Sequence, residues 1–208
     1  MSIFFLLASF VISFGFLLVA MTVHEFAHGY AAYRLGDNTA RFSGRLSLNP
    51  FAHIDPIGTF LLPLVLFLAS QGQIIFGAAK PVPINYWALR NPKRDVIWIG
   101  LSGPLANFIL AVIVSILWRV LPHIELVNFV CSNLILINLV LGIFNLIPVP
   151  PLDGSRIVMG LLPPAVAERY AAIEPFGFFI VMVLWGIGLL NIIVWPLVVF
   201  TLRLLIPF

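Results

Sequence analysis

Apolar residues run without a charge over residues 3–23, 96–118, 126–152 and 175–202. Each run meets the roughly 20 residues a helix needs to cross a bilayer core. Gly186, Gly188, Asn191 and Pro196 interrupt the last run, so it reads equally as one tilted helix or a tight hairpin. A fifth apolar piece, residues 57–70, holds 14 residues and includes Pro63. At 1.5 Å per residue it reaches about 21 Å, short of a core of about 30 Å. It is therefore expected to enter the membrane and return on the same side. The basic residues support a return. If residues 57–70 do not cross, Arg34, Arg41, Arg45, Lys80, Arg90, Lys93, Arg94, Arg156 and Arg169 share one face, and of the basic residues before the last run only Arg119 lies opposite. Positive charge collects on the cytoplasmic side. A crossing would also place Asp153 on the opposite face from His28.

Residues 39–48 alternate loosely between polar and apolar positions. That pattern fits a short hairpin or edge strand, and equally an ordinary cytoplasmic loop. An edge strand there would hold an extended peptide through main-chain hydrogen bonds. The expected architecture is an all-α polytopic membrane protein with about four to six transmembrane helices, a re-entrant segment and a short membrane-associated β-hairpin. It forms a single domain over residues 1–208.

Composition agrees. The chain is 62% hydrophobic and 9% charged, with a mean hydropathy of +1.11, whereas a soluble domain carries about 25% charged residues. No polar stretch is long enough for a soluble module. The net charge of +3 comes mostly from Arg in short loops, which suits orientation in a bilayer and excludes nucleic-acid binding. The lone Cys131 excludes an internal disulfide and reads as apolar filler. No Lys or Arg precedes the first run, and no small-residue cleavage site precedes the first histidine. A retained helix is expected there, not a signal peptide. Trp87, Trp98, Trp118 and Trp195 fall near run ends, as an interfacial belt would. The absence of an internal repeat argues against a transporter built from paired halves.

Chemistry concentrates at His24-Glu25-Phe26-Ala27-His28, directly after the first run. On a helix, residues four apart lie about 40° apart around the axis, so His24 and His28 face the same way. Two imidazoles so placed can hold one Zn²⁺, while Glu25 beside them can take a proton from the attacking water. An ionisable cluster beside a spanning segment is costly without a function. A catalytic zinc needs a third protein ligand. Asp37, Asp55, Asp95, Glu125, Glu168 and Glu174 lie near loops or helix ends. Asp153 instead follows Pro148, Pro150 and Pro151 and precedes Gly154, where irregular chain at membrane depth is expected. It is well placed to complete a His₂Asp site.

HEFAH, Ser102-Gly103-Pro104-Leu105-Ala106-Asn107, and the N-x-x-P-x-P-x-x-D-G pattern from Asn145 to Gly154 together resemble the site-2 protease family of intramembrane zinc metalloproteases. Asn49-Pro50-Phe51-Ala52-His53-Ile54-Asp55-Pro56 and Ala79-Lys80-Pro81-Val82-Pro83 are similar to its compact bacterial and archaeal members. The resemblance covers nearly the whole chain, without a PDZ insertion or CBS tail. It implies one Zn²⁺ held by His24, His28 and Asp153, with Glu25 as general base and later proton donor. It also implies Asn145 near the site and in contact with the substrate backbone. The substrates it implies are transmembrane proteins already trimmed by another protease. The location it implies is a bacterial or archaeal cell membrane, with the site toward the cytoplasm. His53 stays open between an accessory or oxyanion role and a loop histidine capping the re-entrant segment. Asn107 reads as helix packing through small neighbours, and His123 as an external loop residue. The competing readings are a transporter or metal-binding membrane protein, and a scaffold that has lost activity. Intact Glu25 and Asp153 argue against the scaffold.

Overall fold

The computed structural model describes residues 3–72, 75, 77–122 and 124–206; the reading of His123 falls outside them. The described residues are helical, with no strand. The first helix, α1, spans Ile3–Arg34 and so continues well past the apolar run. Its polar extension contains no proline to stop it. Gly29 lets it pack closely, since a Cβ there would lie 3.3 Å from Val82 and 3.4 Å from Ala40.

The hairpin expected over residues 39–48 does not form. Asp37 accepts the Thr39 N–H at 2.8 Å and its hydroxyl at 2.5 Å, which starts a short helix, α2 (Thr39–Phe42). The carbonyl of the fully buried Ala40 then takes the N–H groups of Arg45 and Leu46. The loose alternation is overridden by this local cap and by a turn at Gly44, whose φ is +69°.

A 3₁₀ turn (Pro50–His53) leads to a π-type turn (Pro56–Leu61) and α3 (Leu62–Ala69). Asp55 opens this piece by accepting the N–H groups of Ile57 and Gly58. Its ends are then tied together. The Ala78 N–H donates to Gly58 O at 2.9 Å, the Thr59 hydroxyl to Ala78 O at 2.8 Å, and the Lys80 N–H to His53 O at 2.9 Å. The chain thus returns to the level from which it left.

Beyond a 3₁₀ turn (Tyr86–Ala88), α4 (Pro92–Val120) and α5 (Glu125–Asn145) complete the three described helices long and apolar enough to cross a bilayer. Two short helices, α6 (Asp153–Leu161) and α7 (Pro164–Ala171), and a 3₁₀ turn (Glu174–Phe176) precede α8 (Gly177–Gly186) and α9 (Leu189–Leu205). The last two are neither one tilted helix nor a tight hairpin. The chain bends by 78° there, at Gly188 with φ of +77°, a conformation glycine adopts without a Cβ clash. Counting the bent pair as one span gives four among the described residues, the low end of expectation.

The centre of the bundle is α4, packed against α1, α5 and α6. Ala111, Val114 and Trp118 of α4 meet Cys131, Ile135 and Leu139 of α5 in a buried cluster. Trp118 therefore belongs to the core, its indole N–H bonded to Asn128 Oδ1 at 2.8 Å, whereas Trp87, Trp98 and Trp195 are exposed. Asp153 also differs from expectation, because the irregular chain ends at Leu152 and Asp153 opens α6. Gly154 is required by space. A Cβ there would lie 2.5 Å from Ile147 O and nearer still to Leu146 O.

Candidate metal centre

Three side chains from two distant parts of the chain converge. His24 Nε2 and His28 Nε2 are 3.0 Å apart, and Asp153 approaches them at 3.0 Å and 3.2 Å. Both histidines are buried. The other ring nitrogens are occupied: His28 Nδ1 lies 2.8 Å from Ile99 O, and His24 Nδ1 lies 2.6 Å from Asn107 Oδ1. A carbonyl only accepts, so His28 carries its proton on Nδ1 and turns an Nε2 lone pair toward Asp153. Asp153 Oδ2 is buried without a hydrogen-bond partner. Acceptors brought this close are stable around a shared cation, and two imidazoles with one carboxylate are a zinc donor set.

Glu25 lines the same cavity, of about 430 Å³. Its Oε2 accepts the Val82 N–H at 3.0 Å, which ties the carboxylate to the segment that follows α3. Asn145 also lines the cavity, with its Nδ2 on Leu141 O at 2.9 Å. His53 does not. It is buried, with Nε2 on Ser47 O at 2.8 Å, in the 3₁₀ turn that precedes the Pro56–Ala69 piece.

Sequence reasoning missed several neighbours. Arg156, one helical turn beyond Asp153, faces the cavity and binds Glu174 through two nitrogens at 3.0 Å and 2.5 Å. This fastens α6 to the turn before α8. Burial opposes the Arg156 charge, but Tyr86 and Glu174 raise its pKa above the ordinary guanidinium value. Burial also raises the Tyr86 phenol, against the opposing Arg156 charge. Both groups thus keep their protons near neutral pH. No spacing rule could have paired Arg156 with Glu174 across α7.

Gly103 on α4 lies over the ligands. A Cβ there would stand 2.7 Å from His24 Cε1 and Nε2, and closer to His28 Nε2. Gly103→Ala is therefore expected to weaken zinc binding by at least about tenfold, in the range seen when groups around a metal ligand are disturbed. Chelator competition measures this, with Gly15→Ala as control because a Cβ at Gly15 meets nothing within 4 Å. Wild-type zinc affinity in Gly103→Ala would mean the imidazoles do not sit under α4.

A bundle of apolar helices enclosing two histidines, an aspartate and a glutamate defines a membrane metallohydrolase. The chain belongs to peptidase family M50, the site-2 proteases, whose family model matches residues 10–126 and 120–185. It is a zinc metalloprotease with zinc as cofactor. It is 39% identical over 191 residues to "Putative zinc metalloprotease YwhC" of Bacillus subtilis, covering 87% of this chain and 83% of the relative. It is also 29% identical over 185 residues to the zinc metalloprotease MJ0392 of Methanocaldococcus jannaschii, covering 86% of this chain and 44% of the relative. Against the regulator of sigma-E protease RseP of Escherichia coli the identity is 32% over 109 residues, 51% of this chain and 24% of the relative. No solved structure matches.

Proposed function

We propose that the protein is an intramembrane endopeptidase that cuts transmembrane helices of single-pass membrane proteins. The observation that carries this reading is the single cavity in which His24, Glu25, His28 and Asp153 meet the apolar side chains of Met21, Phe144 and Val181. These come from α1, α5 and α8, so the polar centre is walled by helices that face hydrocarbon.

His24, His28 and Asp153 would hold the metal. Bound zinc supplies a Lewis acid that makes water nucleophilic near neutral pH and stabilises negative charge on a carbonyl oxygen. Glu25 is the general base. With Oε2 held by Val82, its other oxygen takes the water proton and later delivers it to the leaving amine. Asn145 contacts the substrate backbone from the opposite wall.

Presentation of the peptide falls to residues 77–82, which take the place of the hairpin expected at residues 39–48. The N–H groups of Ala78, Lys80 and Val82 all bond inward, to Gly58 O, His53 O and Glu25. Alternate residues pointing one way is the pattern of an extended chain, whose other edge belongs to the residues between. Gly77, Ala78, Ala79, Pro81 and Val82 line the cavity, where the main chain of Ala79 and the carbonyl of Pro81, which has no N–H, would receive an unwound substrate. A second cavity of about 510 Å³, bounded by α1, α5, α8 and α9, shares Phe144 and Val181 with the first. It accommodates the part of the substrate that stays helical. Prior trimming by another protease removes a bulky polar domain that could not follow the helix inward. The site opens toward the cytoplasm in a bacterial or archaeal cell membrane, and the piece from Pro56 to Ala69 is re-entrant.

The test is to incubate purified protein with single-pass helices, with and without a zinc chelator, and to map the products by mass spectrometry. Chelator-sensitive cuts inside the spanning segment are expected; cuts confined to flanking loops would overturn the reading. Replacing Leu by Gly near the scissile bond destabilises a helix by about 1 kcal/mol, so cleavage below saturation should rise roughly fivefold if unwinding precedes chemistry. Equal rates for Leu and Gly substrates would remove unwinding as the limiting step.

A further inference from the structure

Asn107 on α4 and Asn138 on α5 are both fully buried, and their amides form a directional chain. Asn107 Nδ2 donates to Ala20 O at 3.0 Å and to Asn138 Oδ1 at 2.8 Å. A primary amide has two N–H hydrogens and one carbonyl oxygen. Both hydrogens are committed, so Oδ1 remains for His24 Nδ1 at 2.6 Å. Flipping Asn107 would set its oxygen against the Ala20 carbonyl. Asn138 is fixed in the same manner. Its Nδ2 donates to Leu134 O at 2.8 Å, and flipping it would set oxygen against that carbonyl. Two backbone carbonyls, on α1 and α5, thus determine which way the whole chain points.

We propose that Asn107 and Asn138 form a polarised amide relay that positions His24 for the metal. The relay puts the His24 proton on Nδ1, turns the Nε2 lone pair toward Asp153 and His28, and fixes the ring plane. His28 needs no such device, because Ile99 O fixes its tautomer directly. The relay also refers His24 to α5, the helix whose C-terminal end leads through residues 146–152 to Asp153. Asn138 lies seven residues before Asn145, about two helical turns. The inference rests on His24 being a zinc ligand and not on the proteolytic reading.

The competing role for two buried asparagines is interhelical adhesion, and the choice of replacement separates the two. Asn107→Asp keeps an oxygen for the His24 N–H but loses both hydrogens given to Ala20 and Asn138. Asn107→Leu loses the oxygen and the hydrogens while filling similar space. If Asn107 only held helices together, Asp, with its buried charge and opposed oxygens, would be the more damaging change by every measure. If Asn107 positions His24, the order of metal binding is the reverse of the order of stability.

The experiment uses the full-length purified protein, with chelator competition for zinc, the absorption spectrum of the Co²⁺-loaded form, and unfolding of the metal-free form. Asn107→Leu is expected to bind zinc 10- to 100-fold more weakly and to shift the Co²⁺ bands, whereas Asn107→Asp stays within about threefold of wild type. Asn107→Asp nevertheless unfolds more readily than Asn107→Leu. Zinc loss that follows stability, with Asp worse than Leu, would overturn the proposal. So would wild-type zinc affinity in Asn107→Leu. Asn138→Leu guards against a variant that does not fold, since it leaves the direct partner of His24 in place. It should shift the Co²⁺ bands in the same direction by less, because Ala20 still holds one Asn107 hydrogen. An unaltered Co²⁺ spectrum in Asn138→Leu would remove α5 from the relay.

Discussion

Glu25→Gln is expected to bind zinc like the wild type and to cleave about 10²- to 10⁴-fold more slowly, the usual contribution of a general base. Gln matches Glu in size and keeps an oxygen to accept the Val82 N–H, which lies 3.0 Å from Glu25 Oε2. The cavity wall should therefore hold its shape, and His24, His28 and Asp153 are untouched. What disappears is the capacity to accept a proton, because a neutral amide oxygen is a very weak base. Metal analysis of the purified variant, paired with single-turnover cleavage of one transmembrane substrate, reads both halves. Full activity would remove Glu25 from the chemistry. Loss of zinc would make it a support of the metal site.

Asp153→Ala acts on the other half. It removes a carboxylate that lies 3.0 Å and 3.2 Å from the two imidazoles and leaves a dication with two neutral ligands. Zinc affinity should fall by more than the roughly 10- to 100-fold typical of residues behind the ligands, and cleavage should fall with it. The fold should survive. Asp153 occupies the first position of α6, where Ala is a good helix former and the lost attraction to the helix dipole is only about 0.3–1 kcal/mol. Chelator competition and thermal unfolding, run together, separate the two effects. Unchanged zinc affinity would move the third ligand elsewhere.

The convergence of His24, His28 and Asp153 was legible in the sequence because its geometry is local or set by punctuation. Four-residue spacing places His24 and His28 on one face, and the prolines before Asp153 mark where α5 must stop. The residues around them were not legible. Asn107 in an apolar helix reads as packing, and only the crossing of α4 with α1 and α5 gives it His24, Ala20 and Asn138 as partners. Gly103 belongs to a segment that carries the family resemblance, but it has no side chain to suggest a role, and its importance is the space it leaves. The misread hairpin has a different cause. Residues 39–48 have weak alternation and a strong cap at Asp37, whose second oxygen also accepts the Asn85 N–H at 2.7 Å, and that long-range bond is invisible in a linear pattern. The role proposed for residues 77–82 was not legible because glycine, alanine and proline have little preference for strands. It rests on the bonds of Ala78, Lys80 and Val82 to Gly58, His53 and Glu25.

The placement of α4 has a mechanical consequence. Ile99 holds His28, Gly100 abuts the Asp153 backbone, Gly103 covers both rings, and Asn107 holds His24. All four lie within nine residues, about 12 Å of one helix. A bilayer thicker or thinner than the protein's apolar belt is accommodated by tilting spanning helices as units. Tilt changes distances between helices most where they touch least. Because α4 is a common ruler for His24, His28 and Asp153, a change in lipid thickness is expected to carry them together and leave their mutual spacing intact. The second cavity lies where α1 faces α8 and α9 with little direct packing between them, so lipid thickness is expected to act on how that cleft opens while the spacing of His24, His28 and Asp153 is kept.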